Sequence, residues 1–298
     1  MDKESKEKLM NKAVNEYITA SNNNEWISLG ELHEKYGFKR STIAKYIRLA
    51  GGIVENHTSG KSFDYKVFDV IDTEEKAYWL GFLYADGCVT NNNSVEFGVI
   101  ASDYEIMQKY RRFLKLKSDD SIKRSANVCR IRVYNKHFAE ALINKGCVPK
   151  KSLILKFPTE NVVNKSLIRH FIRGYCDGDG CLRFYKNHKN VWVCDLTFCG
   201  TKEMLESINK ELNIAGGYLQ KATNNNIYHL CYRCVAARKV ARVLYENSNI
   251  YLNRKYEIYK TFCRFEEESS TAKSSKIGEL WDGNTEVRSE IAKGSETP

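Results

Sequence analysis

From Glu74 to about Arg264 the chain passes twice through one order of elements, and that repetition constrains the fold more than any single segment does. Each pass opens on an apolar helix ending in Asp-Gly, Ala77–Gly87 and Leu167–Gly180. Two strand-like runs of alternating character follow, Cys88–Thr90 with Ser94–Ala101 and then Cys181–Lys186 with Val191–Gly200. A helix comes next (Asp103–Leu116; Thr201–Leu212), then a second strand pair (Ser121–Arg124 with Val128–Tyr134; Gly217–Lys221 with Ile227–Cys234). A further helix (Lys136–Lys145; Ala236–Asn247) leads to a basic element, Val148-Pro-Lys-Lys-Ser152 in one pass and Leu252-Asn-Arg-Lys-Tyr256 in the other. The expected class is α+β, a pseudo-dimer within one polypeptide, with half-domains over 73–160 and 161–264.

Ahead of the repeat, residues 1–72 read as a small helical domain. Glu4 to Thr19 has helical character, and Ser21-Asn-Asn-Asn24 breaks it. Leu29, Leu32 and Tyr36 then share a helical face, Gly37 supplies a turn, and a second basic helix begins at Ser41 with Ile43, Tyr46, Ile47 and Ala50 expected inward. A short helix, a glycine turn and a basic helix make a helix-turn-helix pattern. In its DNA-binding form the second helix meets the major groove, here with Lys39, Arg40, Ser41, Thr42 and Lys45 at its start. After Glu266 the chain is polar, acidic and rich in Ser, Thr and Gly, so 265–298 is expected to be a disordered tail.

Charge agrees with a polyanionic partner. Residues 1–264 hold 43 basic and 29 acidic residues, a net of +14, against +10 for the whole chain. The ten cysteines are scattered and no secretory signal opens the sequence, which points to reduced thiols and an intracellular setting, cytoplasmic, organellar or phage-encoded. Cys231-Tyr-Arg-Cys234 has zinc-like spacing but no matching second pair, and it lies in a strand-like run. No apolar stretch reaches the length of a membrane span.

The chemistry concentrates at the ends of the two Asp-Gly helices. Gly81 and Ala85 are four residues apart, as are Gly174 and Gly178, so each helix carries one smooth stripe along which a second backbone can approach closely. Helices packed on such stripes would bring Asp86 and Asp179 together at their C-terminal ends. An aspartate there faces the negative end of the helix dipole, and a second one adds repulsion. Divalent cations remove that conflict, and carboxylate oxygens suit Mg2+, with Mn2+ as a substitute. Two acids holding metal ions can activate water against a phosphodiester. Gly87 and Gly180 are expected as the helix-ending residues that turn the chain into the first strand.

WLGFLYADG (Trp79–Gly87) and IRGYCDGDG (Ile172–Gly180) resemble the motif of LAGLIDADG homing endonucleases, in the two-copy form of the single-chain members. The resemblance covers about Ala77 to Lys260. It implies two αββαββα half-domains whose sheets grip a long asymmetric double-stranded DNA site, and double-strand cleavage across the minor groove by a monomer. It makes Asp86 and Asp179 the metal-binding catalytic acids, offers the carbonyls of Ala85 and Gly178 as further ligands, and calls for basic residues near the reacting water. By the internal match those are Lys151 and Lys255, with Lys150 and Arg254 as neighbours. The first copy departs from the motif at Tyr84, where the second has Asp177.

The strands are expected to read DNA through Arg130, Arg132 and Tyr134 in the first half and Arg183, Tyr185, Tyr232 and Arg233 in the second. The ends, Met1 and Glu-Thr-Pro298, lack the nucleophile and His-Asn of an intein, so a freestanding or intron-encoded protein is expected. Two alternatives share the scaffold, a non-cleaving transcriptional regulator and an RNA-binding intron maturase.

Overall fold

The computed structural model describes residues 3–22, 27–52, 54, 63–116, 121–222 and 227–269. The chain forms two compact units, Met1–Gly178 and Asp179–Pro298.

The first unit opens with three helices, α1 (Lys3–Asn22), α2 (Leu29–Tyr36) and α3 (Arg40–Leu49). Ser28 starts α2 through a capping box: its Oγ accepts from Glu31 N at 3.0 Å, and its own N–H donates to the Glu31 carboxylate at 2.7 Å. Gly37 ends the helix in the left-handed region (φ 75°), donating its N–H to His33 O at 2.8 Å. Met10, Val14, Tyr17, Leu32, Ile43 and Ile47 close the small core. Tyr46 and Ala50, expected inward, face solvent, and Ala44 takes the inward place. With α1 and α2 covering only one narrow stripe of α3, the turn carrying Tyr46 is left outside.

The first half-domain follows as α4 (Glu74–Asp86), β1 (Gly87–Val89), β2 (Ser94–Ile100), α5 (Tyr104–Phe113), β3 (Ile122–Arg124), β4 (Val128–Tyr134) and α6 (Lys136–Asn144). Its antiparallel sheet has the order β1-β2-β4-β3. The second runs through α7 (Ile168–Asp179), β5 (Gly180–Lys186), β6 (Trp192–Gly200), α8 (Lys202–Leu212), β7 (Tyr218–Lys221), β8 (Tyr228–Arg233) and α9 (Cys234–Tyr245), with sheet order β5-β6-β8-β7. This is an α+β fold of two αββαββα halves. The registers agree as well: Gly87 pairs with Phe97, which pairs with Ile131, and Gly180 pairs with Phe198, which pairs with Leu230.

One face of each sheet is apolar and covered by helices. In the first half Trp79 and Phe82 of α4, Phe97 of β2 and Tyr110 of α5 form an aromatic cluster with ring centroids 4.8–6.0 Å apart. Phe63 and Phe68 lie against Phe138 of α6, and Asp64 N donates to Leu114 O at 2.8 Å, so the segment before α4 is packed on this half-domain. In the second half Leu196, Phe198 and Leu230 meet Met204, Ile208, Val240 and Leu244, all fully buried. A last helix across 253–269 carries Glu266, whose carboxylate pairs with Arg238 at 2.6 Å. The helix thus extends past the expected start of the tail, and 270–298, where the rest of that tail was expected, lie outside the described residues. Among the described residues no helix is long and apolar enough to cross a membrane.

Candidate active site

Every side chain of α4 from Ala77 to Tyr84 is buried, and Asp86 at its end is exposed. In α7 the stretch from His170 to Asp177 is buried and Asp179 is exposed. A carboxylate presented to solvent from the end of an otherwise buried helix therefore occurs once in each unit.

The two helices meet backbone to backbone between Gly81 and Gly174. A Cβ on Gly81 would overlap the Phe171 carbonyl oxygen and lie 3.0 Å from Tyr175 N, and one on Gly174 would overlap Tyr78 O and lie 2.9 Å from Phe82 N. Further along, a Cβ on Gly178 would collide with that of Ala85 and stand 3.2 Å from the Asp86 carboxylate. Gly178 thus lies directly against the Ala85–Asp86 end of α4. Gly87 does not take the left-handed conformation common at helix ends: its angles are extended (φ −76°, ψ 147°). The position is crowded instead, since a Cβ there would lie 2.5 Å from Leu83 O.

The lysines found by internal match both reach the glycine after the aspartate. Lys151, in a 3-10 turn (Lys151–Leu153), donates its ammonium to Gly87 O and, at 3.2 Å, to Ala85 O. Lys255, on the 253–269 helix, donates to Gly180 O at 2.6 Å. Both are buried, at 8% and 1% exposure, whereas their neighbours Lys150 and Arg254 are exposed. Buried ammonium groups persist only where oxygens compensate the charge. The Ala85 carbonyl, offered by the resemblance as a metal ligand, is here engaged by Lys151, and Gly178 contributes the last turn of α7. Beside Asp179, burial and that carboxylate push the Cys199 thiol up from its ordinary range.

Behind this end lies a polar network not foreseen from the sequence. Arg173, fully buried in α7, pairs with Glu74 at 2.7 Å and donates to His170 Nδ1 at 2.9 Å. Its guanidinium stands 5.4 Å from the Tyr78 ring centroid, and the Tyr78 hydroxyl donates to Asp177 at 2.8 Å. Burial and the Asp177 carboxylate hold the Tyr78 phenol well above its ordinary range. At the position matching Asp177, Tyr84 donates to Lys145 O. The sequence signal for this network was His170, Arg173 and Asp177 at helical spacing along one face of α7.

Of the DNA-reading candidates, Arg130 and Arg132 stand exposed on one face of β4, and Tyr134 is half-buried on it. Glu96 of β2 braces both arginines, Arg132 Nε at 2.5 Å and Arg130 at 3.5 Å. In the second sheet Arg183, Tyr185 and Arg233 are exposed, and Asp195 accepts from Tyr185 at 2.9 Å and pairs with Arg183 at 3.4 Å. Tyr232 is not with them: it is fully buried and donates to Asn209 Oδ1 at 2.5 Å. It is adjacent to Arg233, and neighbouring strand residues point to opposite faces. Arg40, Ser41 and Lys45 are exposed on α3 and Thr42 is half-buried, with the Arg40 guanidinium lying over Gly30.

The donors at each helix end are oxygens, a carboxylate and nearby main-chain carbonyls. Among the described residues no three His, Cys, Asp or Glu side chains group as a metal site. An all-oxygen donor set suits a hard divalent cation such as Mg2+ better than zinc. None of the ten cysteines is in a disulfide, Cys231 and Cys234 included.

Compared with known proteins, the chain matches no family model and no curated protein. Among solved structures it is similar to the meganuclease I-SmaMI bound to uncleaveable DNA, at 12% identity over 66% of this chain and 90% of that one, with a TM-score of 0.46. The LAGLIDADG homing endonuclease I-LtrWI bound to target DNA gives 11% identity, 69% and 92% coverage and a TM-score of 0.44. For I-GzeII in complex with its DNA target the values are 12%, 67%, 91% and 0.40. These three solved structures are LAGLIDADG homing endonucleases.

Proposed function

We propose that the chain is a site-specific, Mg2+-dependent double-strand DNA endonuclease of the LAGLIDADG type, acting as a monomer on a long asymmetric site. The observation that carries this reading is one constellation present in both units. An exposed aspartate ends a buried helix, and the next glycine offers its carbonyl to a buried lysine. Local rules broken in the same way twice mark function rather than packing. Asp86 and Asp179 are the carboxylates that hold the divalent ions, which when bound polarise the phosphodiester and stabilise the leaving oxygen. Lys151 and Lys255, fixed by their carbonyl partners, supply positive charge beside the reacting phosphates. The outer sheet faces meet the duplex through Arg130, Arg132, Arg183 and Arg233, with Glu96 holding Arg130 and Arg132 and Asp195 holding Arg183. Arg40, Ser41, Thr42 and Lys45 of α3 add contacts as an accessory helix-turn-helix.

The test is incubation of the purified chain with a randomised plasmid library, with and without Mg2+, and sequencing of the ends produced. Ends at one long sequence that appear only with the metal are expected. Selective binding with no cutting in Mg2+ or Mn2+ would support the regulator reading, and stimulated splicing of an intron RNA without DNA cleavage the maturase reading.

A further inference from the structure

The three-helix module and the first sheet are separated by a cleft of about 850 Å³. On the module side Ala50 and Gly51 line it, at the C-terminal end of α3. On the other side are Asn92 and Asn93 of the β1–β2 turn, with Tyr134 at the end of β4 and Lys136 at the start of α6. The C-terminal end of α3 therefore lies beside the first sheet. From Asp86 along β1 to the same cleft is about 10 Å. That length corresponds to roughly three base pairs of duplex.

The free face of α3 is matched to a polyanion. The helix has three basic residues and no acid, Lys45 and Arg48 are exposed, and Tyr46 and Leu49 beside them are 43% and 71% exposed. A solvated face has no need of a tyrosine and a leucine, whereas a groove-bound helix uses such groups against sugars and thymine methyls. Resting on the endonuclease reading, we infer that α3 binds duplex DNA flanking the first sheet's half-site. Its contacts lie beyond the bases under Arg130 and Arg132, on that side alone, with Lys45, Tyr46, Arg48 and Leu49 as the contacting residues.

The test uses full-length protein and a duplex selected from a random pool by the wild type. Hydroxyl-radical footprints are compared for wild type, Lys45→Ala/Arg48→Ala, Arg130→Ala/Arg132→Ala and Arg183→Ala/Arg233→Ala, the last two marking the bases under each sheet. Lys45→Ala/Arg48→Ala is expected to lose protection at one end only, outside the bases marked by Arg130 and Arg132. Its log–log salt slope should be shallower by about two, since two phosphate contacts are gone. A loss at the Arg183/Arg233 end, or an unchanged footprint and slope, overturns the inference while the nuclease reading stands. A wild type that selects no duplex overturns both.

Discussion

Gly81 and Phe171 lie on different helices, yet a methyl group on the first would overlap the carbonyl oxygen of the second and come within 2.9 Å of its carbon. Gly174 stands in the same relation to Tyr78 on the opposite helix. Neither neighbour can move aside cheaply, because each is main chain inside a regular helix. Gly81→Ala and Gly174→Ala are therefore expected to destabilise the protein by about 3 kcal/mol or more. Alanine's better helix propensity, worth about 1 kcal/mol, does not offset this. Urea unfolding measures it, and alanine variants as stable as wild type would show that the helices do not cross here.

Arg173 has no solvent exposure, and the Glu74 carboxylate pairs with it at 2.7 Å. Removing Glu74 takes a paired carboxylate from a buried cation, so Glu74→Ala should cost about 3–5 kcal/mol. The matching residue in α4 is Leu80, which shows that this position tolerates an apolar side chain. Glu74→Ala combined with Arg173→Leu should recover most of the loss. A double variant as unstable as the sum of the two singles would mean the pair is not coupled.

His170 accepts from Arg173, and burial with that guanidinium holds its imidazole down, from 6.5 to about 4. The unfolded chain takes up this proton near pH 6.5, while the folded chain resists until about pH 4. The contribution is thus intact above pH 6.5, shrinks as pH falls, and stops shrinking below about 4. The loss across that window is at most roughly 3 kcal/mol. His170→Gln should flatten the stability curve between those limits. Denaturation at a series of pH values checks this, with parallel curves for variant and wild type being the contrary result.

Asp86→Asn and Asp179→Asn remove a charge and almost no volume. Each should lower double-strand cleavage by a hundredfold or more, the order of effect expected when a metal-holding charge is lost. Binding should stay within a few-fold of wild type, and one strand can still be nicked. Supercoiled plasmid separates the products as nicked circles and linear DNA. Linear product at the wild-type rate from both single variants would rule out the two-acid arrangement.

Local periodicity carried much of this structure. The order of elements, the sheet faces bearing Arg130, Arg132 and Arg183, and the stripe containing Gly81 and Gly174 follow from repeats of two and of 3.6 residues. Such patterns depend only on neighbours in the chain. Tyr232 shows what happens when that phase is not respected: placed beside Arg233 in expectation, it lies on the opposite face of β8. Tyr46 marks the limit of the helical pattern, since whether the edge of an apolar stripe is covered depends on how much helix packs against it.

Tertiary structure alone decided which charges went inside. Lys150 and Lys151 are adjacent, as are Arg254 and Lys255, and nothing local distinguishes the buried member of either pair. What distinguishes Lys151 is a free carbonyl at the end of a helix more than sixty residues away, and Lys255 finds its partner 75 residues back. Arg173 and His170 could be buried because Glu74, on the facing helix, compensates the guanidinium. A sequence sets where a helix begins and which face is apolar, but the desolvation of a charge is settled by groups brought beside it from elsewhere in the chain.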